Sequence, residues 1–318
     1  MKKIYDIGLI PKLTELAERF MFPFPKLSRV TNGGLFDRVT MVASLTNHGK
    51  TTLVSQIVEH CIEQGYKCCC FFGEDTAHES QDRIFKQSMR NEEKPFRYVH
   101  YKDTNCGELV LSDEAFEKAK SKFVGKLFLY NTNASAKVDD ILAGFEEARI
   151  NHGCRIFVLD NVDQFEFASE NENKALKDSV IKIRDYAISK KVHIFLIAHI
   201  KKIGRDVLVP DLYDVKGTSS LVNISKNVLI HMRTDILDRS HKQFPQLERT
   251  LEKNGYPDID SLGGFIFVPK TKGRESYSYI GLKYDKDTCT YTEVRAREKK
   301  VQTKQIGVND IKDEDLPF

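Results

Sequence analysis

The stretch SLTNHGKTT, residues 44–52, decides how the rest of the chain is read. It departs from the phosphate-binding pattern G-x-x-x-x-G-K-[ST] at one position, where Ser44 stands in for the first glycine. Gly49, Lys50 and Thr51 are in register, and Thr52 adds a second hydroxyl. Serine is small enough for the tight turn. Before the loop, RVTMVAS (38–44) is largely apolar and rich in strand formers, as a buried parallel strand should be. After it, KTTLVSQIVEHCIEQG spaces Leu53, Ile57, Val58 and Ile62 at helical intervals and stops at Gly65. A strand–loop–helix unit of this kind aims the free N–H groups of the helix start at phosphates. Lys50 then reaches the β- and γ-phosphates, Thr51 holds Mg²⁺, and Asn47 and His48 belong to the loop that wraps the phosphates. The plain alternative is a lysine-tipped turn before an ordinary helix, and the flanks argue against it.

At 318 residues, with 41% hydrophobic and 30% charged side chains, the chain suits one large α/β domain or two small ones with a sizeable core. A net charge of +3 is too small to argue for nucleic acid by itself, so any basic surface must be local. No apolar run reaches the length of a membrane span, and MKKIYDIGLIPK lacks a signal-peptide core. Seven cysteines include the run Cys68, Cys69, Cys70 within an expected strand, whose neighbours face opposite ways. That excludes a disulfide framework, and no C-x-x-C pairs flank a histidine cluster. Reduced core cysteines of a cytoplasmic protein are the expectation.

Strands alternate with helices from about residue 38 to 198. YKCCCFFGED, KLFLYNT (126–132), CRIFVLD (154–160) and VHIFLIAH (192–199) read as further buried strands. KVDDILAGFEEARINHG and NKALKDSVIKIRDYAISK carry the helical period between them. Such βαβ alternation predicts a mainly parallel sheet covered by helices on both faces. KNVLIHMRT, FIFVPK and SYIGLKYD read as later strands, some in hairpins. Residues 91–122 look irregular enough for a surface insertion, as does the turn-rich stretch 244–264.

Chemistry then collects at strand ends. Asp160 closes CRIFVLD, where a carboxylate supports Mg²⁺ in phosphate-loop ATPases; alone, it would be only an acidic strand cap. Glu74, in FFGEDTAHES, could orient and deprotonate the attacking water, with Asp75 as its rival. His199 ends the fifth strand on the same sheet edge, where it could bond a γ-phosphate rather than serve the core.

Taken in order and spacing, SLTNHGKTT, FFGEDT, IFVLDN, LIAHIKK and DVKGTSSLVNISKNVLIHMR resemble the RecA-like ATPase domain of DnaB-type hexameric helicases, above all the helicase half of phage primase-helicases. The resemblance spans about residues 22–291. It implies an α/β RecA-like P-loop fold, with Glu74 the catalytic carboxylate, Asp160 the Walker B aspartate and His199 the γ-phosphate sensor. It implies that Arg233 and Tyr284 sandwich the nucleotide base, as an arginine plane and an aromatic ring can. It also gives Lys216, Gly217, Thr218, Ser219 and Ser220 to a channel loop that touches single-stranded DNA, where small residues, hydroxyls and one lysine suit phosphate contact. DQFEFASENENK matches a second channel loop. The family's trans-acting arginine finger falls in PKTKGRES, where alignment puts Lys272 and Arg274 lies two residues on. Arginine suits phosphate charge better than lysine, so Arg274 is a candidate finger with Lys270 or Lys272 assisting. The choice stays open.

The ends are distinct. IGLIPKLTELAERF places Leu9, Leu13, Leu16, Ala17 and Phe20 on one helical face. Residues 1–21 are expected to form a linker helix that packs on a neighbouring subunit, as in the family, ahead of a core at 22–300. The tail 301–318 ends in Asp313, Glu314, Asp315, Leu316, Pro317 and Phe318, a polar stretch with an aromatic tip. It resembles the acidic, Phe-terminated tips of single-stranded-DNA-binding proteins and phage replicative helicases, which implies docking to a polymerase or a separate primase. The reading is an ATP- and Mg²⁺-dependent replicative DNA helicase that forms a ring, a hexamer in the family, around single-stranded DNA, with no membrane partner. A RecA- or RadA-like ATPase of recombination is the nearest rival, and a nucleotide-switched adaptor the rival from another class.

Overall fold

The computed structural model describes residues 18–101, 106–131, 136–162, 165, 172–200, 207–215, 219–273 and 277–297. Strands β1 (Arg19–Phe20) and β2 (Gly34–Leu35) pair antiparallel around helix α1 (Pro25–Thr31). Strand β3 (Arg38–Ser44) then leads through the loop into α2 (Lys50–Glu63), β4 (Cys68–Phe72) and α3 (Ala77–Ser88). A hairpin of β5 (Phe96–His100) and β6 (Gly107–Leu111) precedes α4 (Asp113–Phe123) and β7 (Leu127–Leu129). Next come α5 (Val138–His152), β8 (Ile156–Asp160), α6 (Glu172–Lys190) and β9 (His193–His199). Helix α7 (Ser219–Ile224) enters β10 (Asn227–Arg233), followed by α8 (Phe244–Lys253), β11 (Gly264–Thr271), β12 (Ser278–Asp285) and β13 (Thr290–Glu293).

The main sheet has the order β13-β12-β11-β10-β3-β9-β8-β4-β7. From β10 to β7 every pairing is parallel, and β11, β12 and β13 add an antiparallel extension. Parallel strands buried on both faces read as unbroken apolar runs, which is why RVTMVAS, CCCFF and IFVLD are legible as strands.

Alternation along those runs splits the core into two layers. Cys69, Phe71, Phe157, Leu159 and Leu196 join α5, α6 and α8 on one face. Cys68, Cys70, Phe72, Val158 and Phe195 join α1 to α4 on the other. All seven cysteines are free, and burial pushes the Cys69 thiol up to about 12. The expectation of core positions holds for Cys61, Cys68, Cys69, Cys70 and Cys154, which are buried, while Cys106 is exposed.

Three expectations need correction. Residues 91–122 hold the β5–β6 hairpin and α4, whose Ala115, Ala119 and Phe123 are buried. The stretch 244–264 begins with α8, which buries Phe244, Leu247 and Leu251 at helical spacing. Phe20 does not lie on the face of a linker helix. It sits in β1, 0% exposed, against Phe22, Phe36, His193 and Phe195. A Cβ on Gly34 would fall 1.9 Å from its ring, so that glycine is needed for the ring to lie flat on the chain. Residues 1–17 and the tail lie outside the described residues. No described helix is long and apolar enough to cross a membrane.

Candidate functional site

Parallel pairing of β3, β9, β8 and β4 delivers four strand ends to one edge of the sheet. Ser44 lies beside His199, and Phe72, two residues before Glu74, lies beside Asp160. The carboxyl ends of such strands are where open α/β sheets gather ligand-binding groups. The loop turns through two left-handed residues, Asn47 (φ 64°) and Gly49 (φ 77°), before α2 begins at Lys50. Gly49 is doubly constrained, since a Cβ there would also meet the Tyr291 hydroxyl at 2.8 Å. No side chain caps α2, so its first N–H groups are left for an external acceptor. Ser44 is buried at the head of the loop, its hydroxyl donating to the Leu45 carbonyl over 3.0 Å.

Thr51 donates from Oγ1 to Asp160 Oδ2 over 2.6 Å. Asp160 is 2% exposed, and its other oxygen, Oδ1, has no hydrogen-bond partner among the described residues. Burial pushes this carboxyl up to about 6, against the Thr51 hydrogen bond and the Lys50 charge. A buried carboxylate oxygen without a partner, beside a threonine hydroxyl, is a donor set that suits a hard cation such as Mg²⁺.

Glu74 stands at the centre of a small network. Asn161 donates from Nδ2 to Glu74 Oε1 over 2.6 Å and lies 3.0 Å from His199 Nε2. His199 Nε2 is in turn 3.2 Å from Glu74 Oε1, and Lys50 Nζ is 3.6 Å from Oε2. One imidazole nitrogen meets both a donor and an acceptor, so it either accepts from Asn161 or donates to Glu74. Partial burial works to raise the Glu74 carboxyl, but His199, Lys50 and Asn161 together hold it below its ordinary value. Asp75, the rival carboxylate, is paired with Arg83 instead. Asn161 was missed by the sequence reading; its only signal was its place directly after Asp160.

A second group lies on the antiparallel side. The Arg233 guanidinium sits 5.5 Å from the Tyr284 ring centroid and pairs with Asp235, Nε to Oδ1 at 2.9 Å. A base stacked between them needs about 7 Å, twice a carbon–carbon contact, so the two must part slightly to admit one. His48, held down at about 4 by burial, is neutral and accepts at Nδ1 from the Arg233 backbone N–H over 3.0 Å. The loop and the Arg233 strand are thereby joined. Thr52 is joined to the same side, its carbonyl accepting from Gln87, which also reaches the Cys289 carbonyl.

Lys272 is exposed at the other edge of the sheet. Its neighbour Thr271 pairs with Asn227, which pairs with Thr40 near the start of β3, roughly 13 Å of strand from Ser44. Lys272 is thus remote from its own chain's loop. Lys270 is turned to the Val222 carbonyl. Arg274, Lys216, Gly217 and Thr218 lie outside the described residues, while Ser219 and Ser220 open α7.

Fold and site together define a P-loop domain of RecA-like fold whose residues are those of a nucleotide-binding site. The chain belongs to the AAA domain family, whose model matches residues 10–205. The DNA helicase/primase of Enterobacteria phage T3 is 25% identical over 271 residues, covering 81% of this chain and 46% of that protein. The chain therefore spans less than half the length of that relative. Among solved structures, a DnaB-like replicative helicase, solved for its interactions with primase, superposes with a TM-score of 0.67 at 14% identity, over 89% of this chain and 66% of that one. A solved ATPase domain gives 0.66 at 13% identity over 86% and 90%. A KaiC-like protein of Pyrococcus horikoshii gives 0.57 at 12% over 88% and 100%. These likenesses are of fold, and the fold is that of DnaB-type helicase ATPase domains.

Proposed function

We propose that this chain is the ATPase motor of a replicative DNA helicase. The observation that carries the reading is the meeting of Lys50, Thr51, Glu74, Asp160 and His199 at one sheet edge, where Asp160 Oδ1 has no partner among the described residues. The α2 N–H groups and Lys50 bind the phosphates, and Thr51 with Asp160 would hold Mg²⁺. Bound there, the ion supplies neutralisation of phosphate charge. Glu74, kept ionised by its neighbours, orients the water and accepts its proton. Lys50 is shared between Glu74 and the phosphate position. A γ-phosphate that draws Lys50 away frees Glu74 for the water and leaves it to Asn161 and His199. His199, exchanging partners on Nε2, then reports the loss of that phosphate. Arg233 and Tyr284 hold the base.

The remaining roles extend this reading. The helicases that share the fold motivate a ring, a hexamer, in which Lys272 or Arg274 reaches the neighbouring subunit's ATP. Its remoteness from its own loop suits Lys272 to action in trans. Residues 216–220 would touch single-stranded DNA in the channel, segment 1–17 would pack between subunits, and Asp313, Glu314, Asp315 and Phe318 would dock a polymerase or a separate primase. The host cytoplasm is the compartment this work requires. Incubation with a forked duplex, ATP and Mg²⁺ tests the reading: strand separation by closed rings in electron micrographs is expected. Open filaments without strand separation would favour the recombinase-like alternative.

A further inference from the structure

We propose that Tyr291 is a nucleotide-binding residue whose hydroxyl donates a hydrogen bond to the α-phosphate. The proposal rests on the nucleotide-hydrolysing reading and deepens it. Tyr291 stands in β13, an edge strand four places from β3 in the sheet, yet its side chain lies against the phosphate loop. The residue is 2% exposed, and its hydroxyl sits 2.8 Å from where a Cβ on Gly49 would be. The hydrogen bonds that Tyr291 makes among the described residues are those of its backbone with Gln56, and its hydroxyl has none with them.

The placement is built. The Gln56 side chain, 4% exposed on α2, binds the Tyr291 backbone from both sides: Nε2 donates to the carbonyl and Oε1 accepts from the N–H, each at 2.7 Å. The ring packs edge-on to His231 at 4.8 Å and against Tyr284 at 4.8 Å. A buried strand end is thus pinned to the same helix whose first turn faces the phosphates. Burial also pushes the phenol above its ordinary range, so it remains a donor.

Position selects the acceptor. Lys50 and the α2 N–H groups serve the β- and γ-phosphates, and Arg233 with Tyr284 holds the base. Tyr291 lies between these two stations, in contact with Tyr284 on one side and Gly49 on the other. The piece of nucleotide that crosses this gap is the sugar and α-phosphate. The phosphate oxygens are acceptors only and carry charge, which suits an unpaired donor. A tyrosine kept only for its bulk would do as well as phenylalanine, and this is the point on which the test turns.

The experiment compares the native chain with Tyr291→Phe, which keeps the ring and removes one oxygen, by calorimetric titration with Mg²⁺–ADP and with pyrophosphate. The expected result is a loss of about tenfold in ADP affinity with pyrophosphate unchanged and the melting temperature preserved. A second measurement needs only the native chain: the two diastereomers of ADP carrying sulfur at the α-phosphate. The native chain should prefer one of them about tenfold, and Tyr291→Phe should reduce that preference. Equal ADP affinity of native and variant, equal weakening of ADP and pyrophosphate, or no diastereomer preference in the native chain would each overturn the proposal. A native chain that binds neither ADP nor pyrophosphate would instead remove the nucleotide reading beneath it.

Discussion

Thr51 and Asp160 share a 2.6 Å hydrogen bond that occupies one carboxylate oxygen and leaves the other, Oδ1, buried and without a partner among the described residues. The carboxyl pKa in the folded chain is about 6, above the ordinary 3.8, because burial disfavours the charge. The folded state therefore binds more protons than the unfolded chain between those values, and stability falls as pH rises through that window. Above about pH 6 the full cost is present. Without Mg²⁺, Asp160→Asn should melt higher than the native chain at pH 7.5, and the difference should vanish near pH 4. Mg²⁺ with ADP should raise the native melting temperature more than that of the variant, and the variant should not turn over.

Glu74 accepts from Asn161 and lies beside His199 and Lys50, and the net effect keeps its carboxyl below its ordinary value. Turnover should accordingly stay on its plateau down to the ordinary carboxylate range before an acid limb appears. Glu74→Gln should lower kcat by roughly 10²-fold or more while ATP affinity is kept. A pH–rate series with paired binding titrations measures both.

Asn161→Ala removes the amide that bridges Glu74 and His199. A lost hydrogen bond to a charged group corresponds to roughly tenfold or more, here in kcat rather than in KM. His199→Ala should weaken the coupling of hydrolysis to DNA while leaving ATP affinity nearly native. Steady-state kinetics at several DNA concentrations separate the two.

Arg233→Ala removes the plane facing Tyr284 but touches neither Lys50 nor Glu74. KM for ATP should rise about tenfold with kcat nearly unchanged, as expected when a contact made equally in ground and transition state is lost. Lys50→Ala, by contrast, should abolish turnover.

Phe20 measures where the folded core begins. Its burial among Phe22, Phe36 and Phe195 predicts a loss of about 3–5 kcal/mol for Phe20→Ala in urea unfolding. A residue serving only a subunit contact would leave the unfolding midpoint of the isolated chain nearly unchanged.

How much was legible follows from where the information lay. β3, β4, β8 and β9 are buried on both faces and advertise themselves as apolar runs, so Glu74, Asp160 and His199 could be placed at their ends. Contacts made across the sheet left no such trace. Gln56 and Tyr291 are separated by 235 residues and meet because the antiparallel extension brings β13 against α2. Asn161 stood next to Asp160, but an amide has no titration to announce it. Helix α8 was overlooked beneath its charges although Leu247 and Leu251 kept helical spacing. Phe20 continued a helical pattern that tertiary packing overrode in favour of β1.

The central claim is that this site couples ATP hydrolysis to a nucleic acid strand, and steady-state turnover with and without single-stranded DNA tests it most directly. The account predicts DNA-stimulated hydrolysis in the native chain, absent in Lys50→Ala and in Glu74→Gln. Turnover indifferent to DNA, or near-native in either variant, would contradict it.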